Sequence, residues 1–266
     1  MIANITIGQY IPGDSIIHRA DPRVKILLSV AFMVIIFLVN TVWTITAMAL
    51  FTIMAAVISG VPLKYTLRGL KPLALIIIFT AVINIFTTKG TPVSDIMPFK
   101  YITWEGIILA VRLAVRLALI IISGSLLTFT TTPILLTDGI EKLLEPFKRI
   151  GLPAHELAMM MSIALRFIPT LLEETDKIMK AQAARGADFD TGNLVQRAKS
   201  FIPVLVPLFI SAFRRADELA TAMEARCYKG GAGRTRMRQL KFTDADTKIV
   251  LTTAVFFTCL LLLQYA

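Results

Sequence analysis

A charge-free run from residue 26 to residue 63, with a short polar break at Asn40-Thr41, dominates the hydrophobic pattern of the chain. One crossing of a hydrocarbon core about 30 Å thick takes about 20 helical residues, so this run is too long for a single span. Two helices joined by a tight turn at Asn40-Thr41 fit it. Asp21 and Pro22 predict the start of the first helix, because aspartate is a good N-cap and proline suits the first helical position.

The same pattern predicts five membrane-spanning helices in all. They cover residues 24–40, 42–60, 72–86, 107–129 and 248–265. The composition agrees with a membrane protein, since 56% of the 266 residues are hydrophobic and 17% are charged. Soluble domains have about 45–50% and about 25% respectively.

Positive charges are distributed unevenly between the two ends of these helices. With the N-terminus inside, 24 of the 28 Lys and Arg residues fall on the cytoplasmic side. Such an excess is typical of cytoplasmic loops. It predicts a multi-pass membrane protein with its N-terminus in the cytoplasm and its C-terminus outside. It also accounts for the net charge of +10, so a nucleic-acid partner is not expected.

Residues 131–247 are the unusual part of the chain. They hold 17 basic and 14 acidic residues, together with two short apolar runs at 157–172 and 201–213 that prolines interrupt. Runs this short more often lie in an interface or a protein core than across a bilayer. If both crossed as a hairpin, five basic residues between them would move outside, against the charge distribution. We expect two long, kinked helices along the inner face of the membrane.

The predicted fold is therefore all-α, a polytopic membrane protein with about five transmembrane helices plus long cytoplasmic-side coupling helices. Residues 1–130 are expected to form the first four membrane helices. Residues 131–247 are expected to form the cytoplasmic coupling helices, and residues 248–266 the final transmembrane helix.

Each apolar run of the cytoplasmic stretch continues into a charged helix, and the two helices end alike. A shift of 41 positions aligns Asp176 with Asp217, Ala184 with Ala225, and Arg185 with Arg226. Opposite charges four residues apart support a helix in both segments. Gly186 predicts the end of the first helix, and Gly230-Gly231 the end of the second.

Arg185 and Arg226 thus occupy equivalent places near helix ends, beside small residues that let a partner surface approach. Arginine stays charged and presents a planar fork of donors suited to carboxylates. The alternative is that each arginine only complements its own helix C-terminus, which is worth about 0.3–1 kcal/mol. The repeated context favours two similar receiving sites, as in a dimeric partner.

Five sequence runs carry a resemblance to a known family. They are ALRFIP (164–169), AQAARG (181–186), AMEARCY (222–228), GQYIPGDS (8–15) and HRADPRVK (18–25). They resemble the transmembrane (T) component of energy-coupling factor transporters, the EcfT/CbiQ family, and the two N-terminal runs are similar to its shared-module branch. The resemblance covers nearly the whole chain.

The resemblance implies a non-catalytic scaffold in the lipid bilayer of a bacterial or archaeal cell membrane. In this family two cytoplasmic ATPase subunits of the ABC type dock on the paired Ala-Arg motifs and bind the ATP, so no cofactor is expected in this chain. A separate membrane protein, the S component, binds a vitamin or metal ion and rests on the cytoplasmic-side helices.

The resemblance also assigns residues to these contacts. The implied ATPase contacts are Ala184, Arg185, Gly186, Ala225, Arg226 and Cys227. The expected contacts with the S component or the membrane face are Met159, Met160, Arg166, Pro169, Pro203 and Pro207. Cys227 stands where glycine is common in the family, and its backbone is expected to avoid the conformations reserved for glycine.

Catalytic and metal-binding motifs are incomplete in this sequence. His155-Glu156 lacks a second histidine four residues on, where Met159 stands, and no phosphate-binding loop of the type GxxxxGK[S/T] occurs. Cys227 and Cys259 match no metal spacing. The sequence therefore predicts neither an enzyme nor a metal site.

Two other functions remain as alternatives, a stand-alone secondary transporter or channel and the permease of an ordinary ABC importer. The first typically shows paired polar groups at mid-membrane and inverted repeats. Here the predicted spans are nearly devoid of ionisable groups, and Arg112 and Arg116 in the fourth span are the exception. They either face protein or water in a functional role, or snorkel toward the outer surface. The sequence leaves both interpretations open.

Overall fold

The chain folds into helices throughout the residues that the computed structural model describes, which are 10–91, 102–189, 193–230 and 240–265. These residues form no β-strand. They group into two compact units, the first made of residues 8–139 with 239–266 and the second containing residues 140–238.

The first unit contains the five predicted spans. Its helices are α1 (Ile16–Arg19), α2 (Pro22–Leu38), α3 (Val42–Ser59), α4 (Leu63–Arg68), α5 (Ala74–Thr87), α6 (Trp104–Thr130) and α11 (Asp244–Tyr265), with a 3₁₀ turn at Lys71–Leu73. Helix α7 (Pro133–Leu144) contains the boundary between the two units along the chain. Each predicted span is a helix whose ends lie within a few residues of the expected ones.

The predicted start and end of α2 are both confirmed. Asp21 is the N-cap and accepts a hydrogen bond from the Arg23 N–H at 2.8 Å, and Pro22 is the first helical residue. Helix α2 ends at Leu38 and α3 begins at Val42, so the turn lies at Asn40-Thr41.

The core of the first unit lies where α2, α3, α6 and α11 meet. Its buried side chains are Phe32, Ile36, Met48, Leu119, Phe257 and Leu260. Helix α6 is 27 residues long, about 40 Å at 1.5 Å per residue, and contacts α2, α3 and α5. Large apolar side chains also cover the outer surface of this unit, where Leu50 and Val57 of α3 are each 65% exposed. Such a surface suits lipid, since hydrocarbon does not penalise exposed apolar groups.

The second unit is built on two long helices. It contains a 3₁₀ segment at Glu145–Ile150, then α8 (Ala154–Ala184), α9 (Leu194–Ser200) and α10 (Ile202–Ala225). Pro169 and Pro207 lie inside α8 and α10, as expected, but Pro203 does not interrupt a helix. It stands in the first turn of α10, where a missing N–H costs no helical hydrogen bond.

Six helical stretches are long and apolar enough to cross a membrane by length and composition. They are Val42–Ser59, Lys64–Thr87, Trp104–Thr130, Ala154–Ala184, Val195–Ala225 and Asp244–Tyr265. The chain is therefore a polytopic all-α membrane protein, as predicted. The set includes α8 and α10 and omits α2, which has 17 residues. The in-plane arrangement of α8 and α10 stays a prediction.

Candidate functional site

Helices α8 and α10 pack against each other in opposite directions. Near the middle of α8, the Glu174 carboxylate accepts hydrogen bonds from the Ser211 hydroxyl and from the Arg215 guanidinium, the latter at 2.9 Å. Further along α8, the Gln182 side-chain amide donates to the Pro203 carbonyl at 3.3 Å. As the residue numbers of the contacts increase along α8, those of their partners decrease along α10, so the two helices are antiparallel.

The ion pair between Glu174 and Arg215 lies at the centre of the sequence repeat. The 41-residue shift that aligns the two helices places Glu174 on Arg215. In an antiparallel pair, a contact between equivalent residues lies on the local two-fold axis that relates the helices. Sequence analysis did not single out this pair, although opposite charges at equivalent positions were a signal for it.

The two arginines of the repeat lie at equal distances from this axis. Arg185 follows Glu174 by 11 residues, and Arg226 follows Arg215 by 11 residues. At 1.5 Å per residue each is about 16 Å along its helix from the ion pair, in opposite directions. The structure therefore places Arg185 and Arg226 at opposite ends of one pseudo-symmetric helix pair.

Helix α8 ends in a Schellman motif. The Gly186 N–H donates to the Ala183 carbonyl and the Ala187 N–H donates to the Gln182 carbonyl, both at 3.0 Å. Gly186 has φ of +90°, the left-handed conformation that this motif requires. The predicted end of this helix at Gly186 is confirmed, and Arg185 is its C-cap.

Helix α10 ends in the same motif, with cysteine in the glycine position. The Cys227 N–H donates to the Glu224 carbonyl at 2.8 Å and the Tyr228 N–H donates to the Met223 carbonyl at 3.0 Å. Cys227 has φ of +56°, and Arg226 is the C-cap. The 41-residue repeat thus extends to the hydrogen bonds of the backbone.

Two predictions about this helix end were wrong. Helix α10 ends at Ala225, ahead of Gly230-Gly231, and Cys227 adopts a conformation that favours glycine. The left-handed conformation costs a non-glycine residue about 1–2 kcal/mol. The two closing hydrogen bonds compensate for it, because they satisfy carbonyl groups that the helix end would otherwise leave without an internal partner.

The predicted ATPase-contact residues all lie at the surface. Ala184, Arg185, Gly186, Ala225, Arg226 and Cys227 are all exposed. Among the residues that the structure describes, neither Arg185 nor Arg226 forms a side-chain hydrogen bond or an ion pair. Within the described residues, each helix end therefore presents an unpaired cation beside small exposed residues, held by the same backbone motif.

An apolar stripe runs along the side of α10 that faces away from α8. At about 100° per residue, the α8-facing residues Val204, Ser211 and Arg215 share one side of the helix. The opposite side carries Ile202, Leu205, Val206, Phe209, Ile210 and Phe213, which are 45–69% exposed. No described residue of the second unit covers this stripe.

The residues predicted to contact the S component or the membrane face are not all brought together. Met159 is half-buried, whereas Met160, Arg166, Pro169, Pro203 and Pro207 are exposed. The contact between Gln182 and Pro203 places Pro203 at the C-terminal end of α8. Met160 precedes Gln182 by 22 residues, about 33 Å along the helix, so these residues form at least two separate surfaces.

In the first unit, Arg116 has a structural partner at the end of α2. Its guanidinium donates to the Val39 carbonyl at 2.6 Å and to the Asn40 side-chain oxygen at 3.1 Å, and it lies 5.7 Å from the centre of the Phe37 ring. Arg116 therefore faces protein and stabilises the α2–α3 turn, which decides the question that the sequence left open for it. Arg112 is half-buried, and its side chain forms no hydrogen bond within the described residues.

At the opposite end of this unit, sequence analysis missed a buried carboxylate. The Asp246 side chain accepts hydrogen bonds from the Asp21 N–H at 2.7 Å and from the Thr243 N–H at 2.8 Å, and it is 1% exposed. It thereby ties the start of α11 to the start of α2. Its only signal in the sequence was an acidic residue in the first turn of an apolar helix.

The described residues contain no candidate metal centre, since no three His, Cys, Asp or Glu side chains group together. His155 Nδ1 lies 3.1 Å from Glu141 Oε1, a pair on the second unit. This pair lacks the further ligands that a zinc site needs.

Comparisons with known proteins find relatives that match the chain over its whole length. A family model described as "Cobalt transport protein" (CbiQ) matches residues 13–237. A relative from Ruminiclostridium cellulolyticum is 61% identical over 265 residues, covering 100% of this chain and 99% of the relative. A relative from Bacillus subtilis is 47% identical over 264 residues, covering 99% and 100%. Both relatives bear the name energy-coupling factor transporter transmembrane protein EcfT. The chain therefore belongs to the EcfT/CbiQ family, the transmembrane components of energy-coupling factor transporters.

Proposed function

We propose that this chain is the coupling subunit through which two cytoplasmic ABC-type ATPase subunits drive a separate, substrate-binding S component. The observation that carries the proposal is the matched pair of helix ends. Arg185 and Arg226 are both exposed C-caps of Schellman motifs, and a local two-fold axis at Glu174–Arg215 relates them. A dimer of ATPases presents two like sites, which such a pair can engage at once.

Each arginine is suited to a carboxylate on the partner. A guanidinium binds a carboxylate through two parallel hydrogen bonds, and neither arginine has another partner among the described residues. Exposed alanines beside them, Ala184 and Ala225, leave room for close approach. The ATP would be bound and hydrolysed by the partner subunits, because the sequence contains no phosphate-binding loop.

The S component would rest on the apolar surfaces of α8 and α10. The stripe from Ile202 to Phe213 faces away from α8, and Met160 with Arg166 and Pro169 lies exposed on α8. Methionine adapts to partners of different shape. An ATP-driven change in the two arginine ends would move these surfaces, because each helix is continuous from its arginine to its apolar part.

The charge distribution supports a cytoplasmic location for this site. The proposed orientation has the N-terminus, α8 and α10 on the inner side and the C-terminus outside. Both arginines are then accessible to cytoplasmic subunits.

Charge reversal at the two helix ends tests the proposal. If each arginine engages a buried carboxylate, Arg185→Glu or Arg226→Glu alone should impair uptake, and the double variant should fail to assemble with the ATPases. A desolvated pair whose partner is left uncompensated costs about 2–5 kcal/mol, against about 0–1 kcal/mol for an exposed pair. The measurement is co-purification of the tagged chain with its ATPases, alongside substrate uptake by cells.

A matched control reverses two other exposed cations of the second unit. Arg149→Glu with Lys199→Glu changes the net charge equally, away from the two helix ends, and neither side chain has an ion pair or a side-chain hydrogen bond within the described residues. This control should assemble and transport. Normal assembly and uptake by the Arg185→Glu/Arg226→Glu variant would refute the coupling role and leave both arginines as helix caps.

A further inference from the structure

An apolar cavity of about 570 Å³ opens at one end of the first unit. Helices α1, α2, α3, α6 and α11 line it, mainly with Val24, Phe32, Phe51, Leu126, Ile249 and Phe257. Its volume lies in the range of about 300–1,000 Å³ that is typical of small-molecule sites. Nothing in the coupling role of the second unit requires this cavity.

The cavity has the depth of one membrane leaflet. Its lining runs along α11 from Ala245 to Phe257, about 18 Å, and along α2 from Val24 to Phe32, about 12 Å. The hydrocarbon core is about 30 Å thick, so one leaflet contributes about half of that. Because Lys25 and Lys248 lie at the shallow end, the charge distribution assigns the cavity to the cytoplasmic leaflet.

The mouth of the cavity is apolar on one side and polar on the other. Met54 and Ile58 of α3 are about half exposed. Lys248 and Thr252 of α11 are exposed across from them, while Phe32 and Phe257 on the floor are buried. A hydrocarbon chain can therefore enter the cavity along the apolar side of the opening, next to its polar side.

The two lysines differ in whether they can bind a ligand. Lys25 is buried, and its ammonium donates to the His18 carbonyl at 3.1 Å, the Thr130 carbonyl at 3.0 Å and the Thr131 hydroxyl at 3.1 Å. These three bonds use all its protons. The ammonium of Lys248 has no such partner within the described residues. It is therefore the cation at the rim that can bind an anion.

We propose that this cavity binds one acyl chain of a glycerophospholipid, whose phosphate pairs with Lys248. Water does not occupy an apolar cavity readily, and the surrounding bilayer supplies acyl chains at high concentration. Lysine is an effective phosphate partner as a point charge, and a headgroup phosphate lies at the level of the shallow end. The bound chain fills the gap between α3 and α11 and completes their packing.

Photo-crosslinking of the full-length chain within its assembled transporter tests this site. The transporter is reconstituted with phosphatidylglycerol that carries a diazirine on its acyl chain, and separately with a diacylglycerol that carries the same diazirine chain and no phosphate. Adducts are mapped by peptide mass spectrometry. We expect enriched adducts on cavity-lining residues 51, 54, 55 and 58 of α3 and 249, 252, 253 and 257 of α11. Adducts no more frequent there than at the outward-facing Leu50 and Val57 would overturn the proposal.

Variants separate the acyl-chain site from the phosphate site. Ala55→Phe places a ring in the cavity and should abolish the enrichment, whereas Val57→Phe adds the same ring on the lipid-facing side and should not. Lys248→Gln should lower phospholipid labelling about fivefold, the ratio that corresponds to about 1 kcal/mol per lysine near the membrane surface. It should leave diacylglycerol labelling unchanged, and Lys241→Gln should change neither.

The remaining outcomes also decide the matter. Equal loss of both probes in Lys248→Gln would overturn the phosphate assignment. Labelling that occurs in the isolated chain but disappears in the assembled transporter would overturn the lipid assignment, since a partner protein would then occupy the cavity. If Ala55→Phe fails to fold, the distribution of adducts on the unaltered chain still decides between enrichment and its absence.

Discussion

Replacing Gly186 by alanine should destabilise the end of α8, whereas replacing Cys227 by glycine should stabilise the end of α10. Gly186 and Cys227 occupy the same left-handed position of the same motif, with φ of +90° and +56°. A Cβ added at Gly186 would meet no atom within 4 Å, so the effect of Gly186→Ala comes from the backbone alone. In the same way, Cys227→Gly removes a conformational penalty without removing a buried contact, because Cys227 is exposed.

The magnitude follows from two opposing contributions. A non-glycine residue in the left-handed region loses about 1–2 kcal/mol. Glycine in turn loses about 0.5–1 kcal/mol more chain entropy on ordering. The difference is about 0.5–1 kcal/mol, a factor of about two to five in the opening equilibrium of the helix end. Gly186→Ala should loosen the end of α8 by this factor, and Cys227→Gly should tighten the end of α10.

Amide hydrogen exchange measures this directly. The protected amides are those of residues 186 and 187 at one end and 227 and 228 at the other, since their N–H groups close the motifs. Exchange is followed by mass spectrometry of peptides that cover each end and is corrected with the same peptides unfolded. Each variant serves as the control for the other end, about 16 Å beyond the shared ion pair on the opposite side.

Two results would refute the reasoning. Unchanged exchange at residues 186 and 187 in Gly186→Ala would mean that the left-handed residue does not limit this helix end. Faster exchange at residues 227 and 228 in Cys227→Gly would mean that the cysteine side chain stabilises the end of α10 through a contact that its exposure excludes.

Two further predictions concern the first unit and the orientation. Arg116→Met should lower the free energy of unfolding of the detergent-solubilised chain by about 1–3 kcal/mol, measured by thermal denaturation, because the Val39 carbonyl loses its charged donor. Arg112→Met should lower it less. Equal effects of the two substitutions would contradict the capping role of Arg116. In intact cells that carry Cys227→Ser and Cys259→Ser, a membrane-impermeant thiol reagent should label Lys89→Cys but reach Lys199→Cys only after permeabilisation, and labelling of Lys199→Cys from outside would overturn the proposed orientation.

The paired helix ends show which features of the repeat could be predicted from the sequence and which could not. The equivalence of Arg185 and Arg226 could be predicted because the same residue types recur 41 positions apart, and the end of α8 could be predicted from Gly186. The end of α10 did not follow, because its left-handed position holds Cys227, and the sequence signal for a Schellman motif is a glycine at that position. The ion pair at the centre of the repeat needed the antiparallel packing of the two helices, which no local pattern specifies.

The five apolar spans, the turn at Asn40-Thr41 and the cap at Asp21 were determined by the sequence itself. These features depend on periodicity and on neighbouring residues, which act over one or two helical turns. Only the tertiary structure decided the partners of buried polar groups. Arg116 binds Val39, 77 positions away, and Asp246 binds the backbone of Asp21, 225 positions away. A buried charge must find donors or acceptors wherever packing brings them, so its role is settled by the fold and not by its neighbours in the chain.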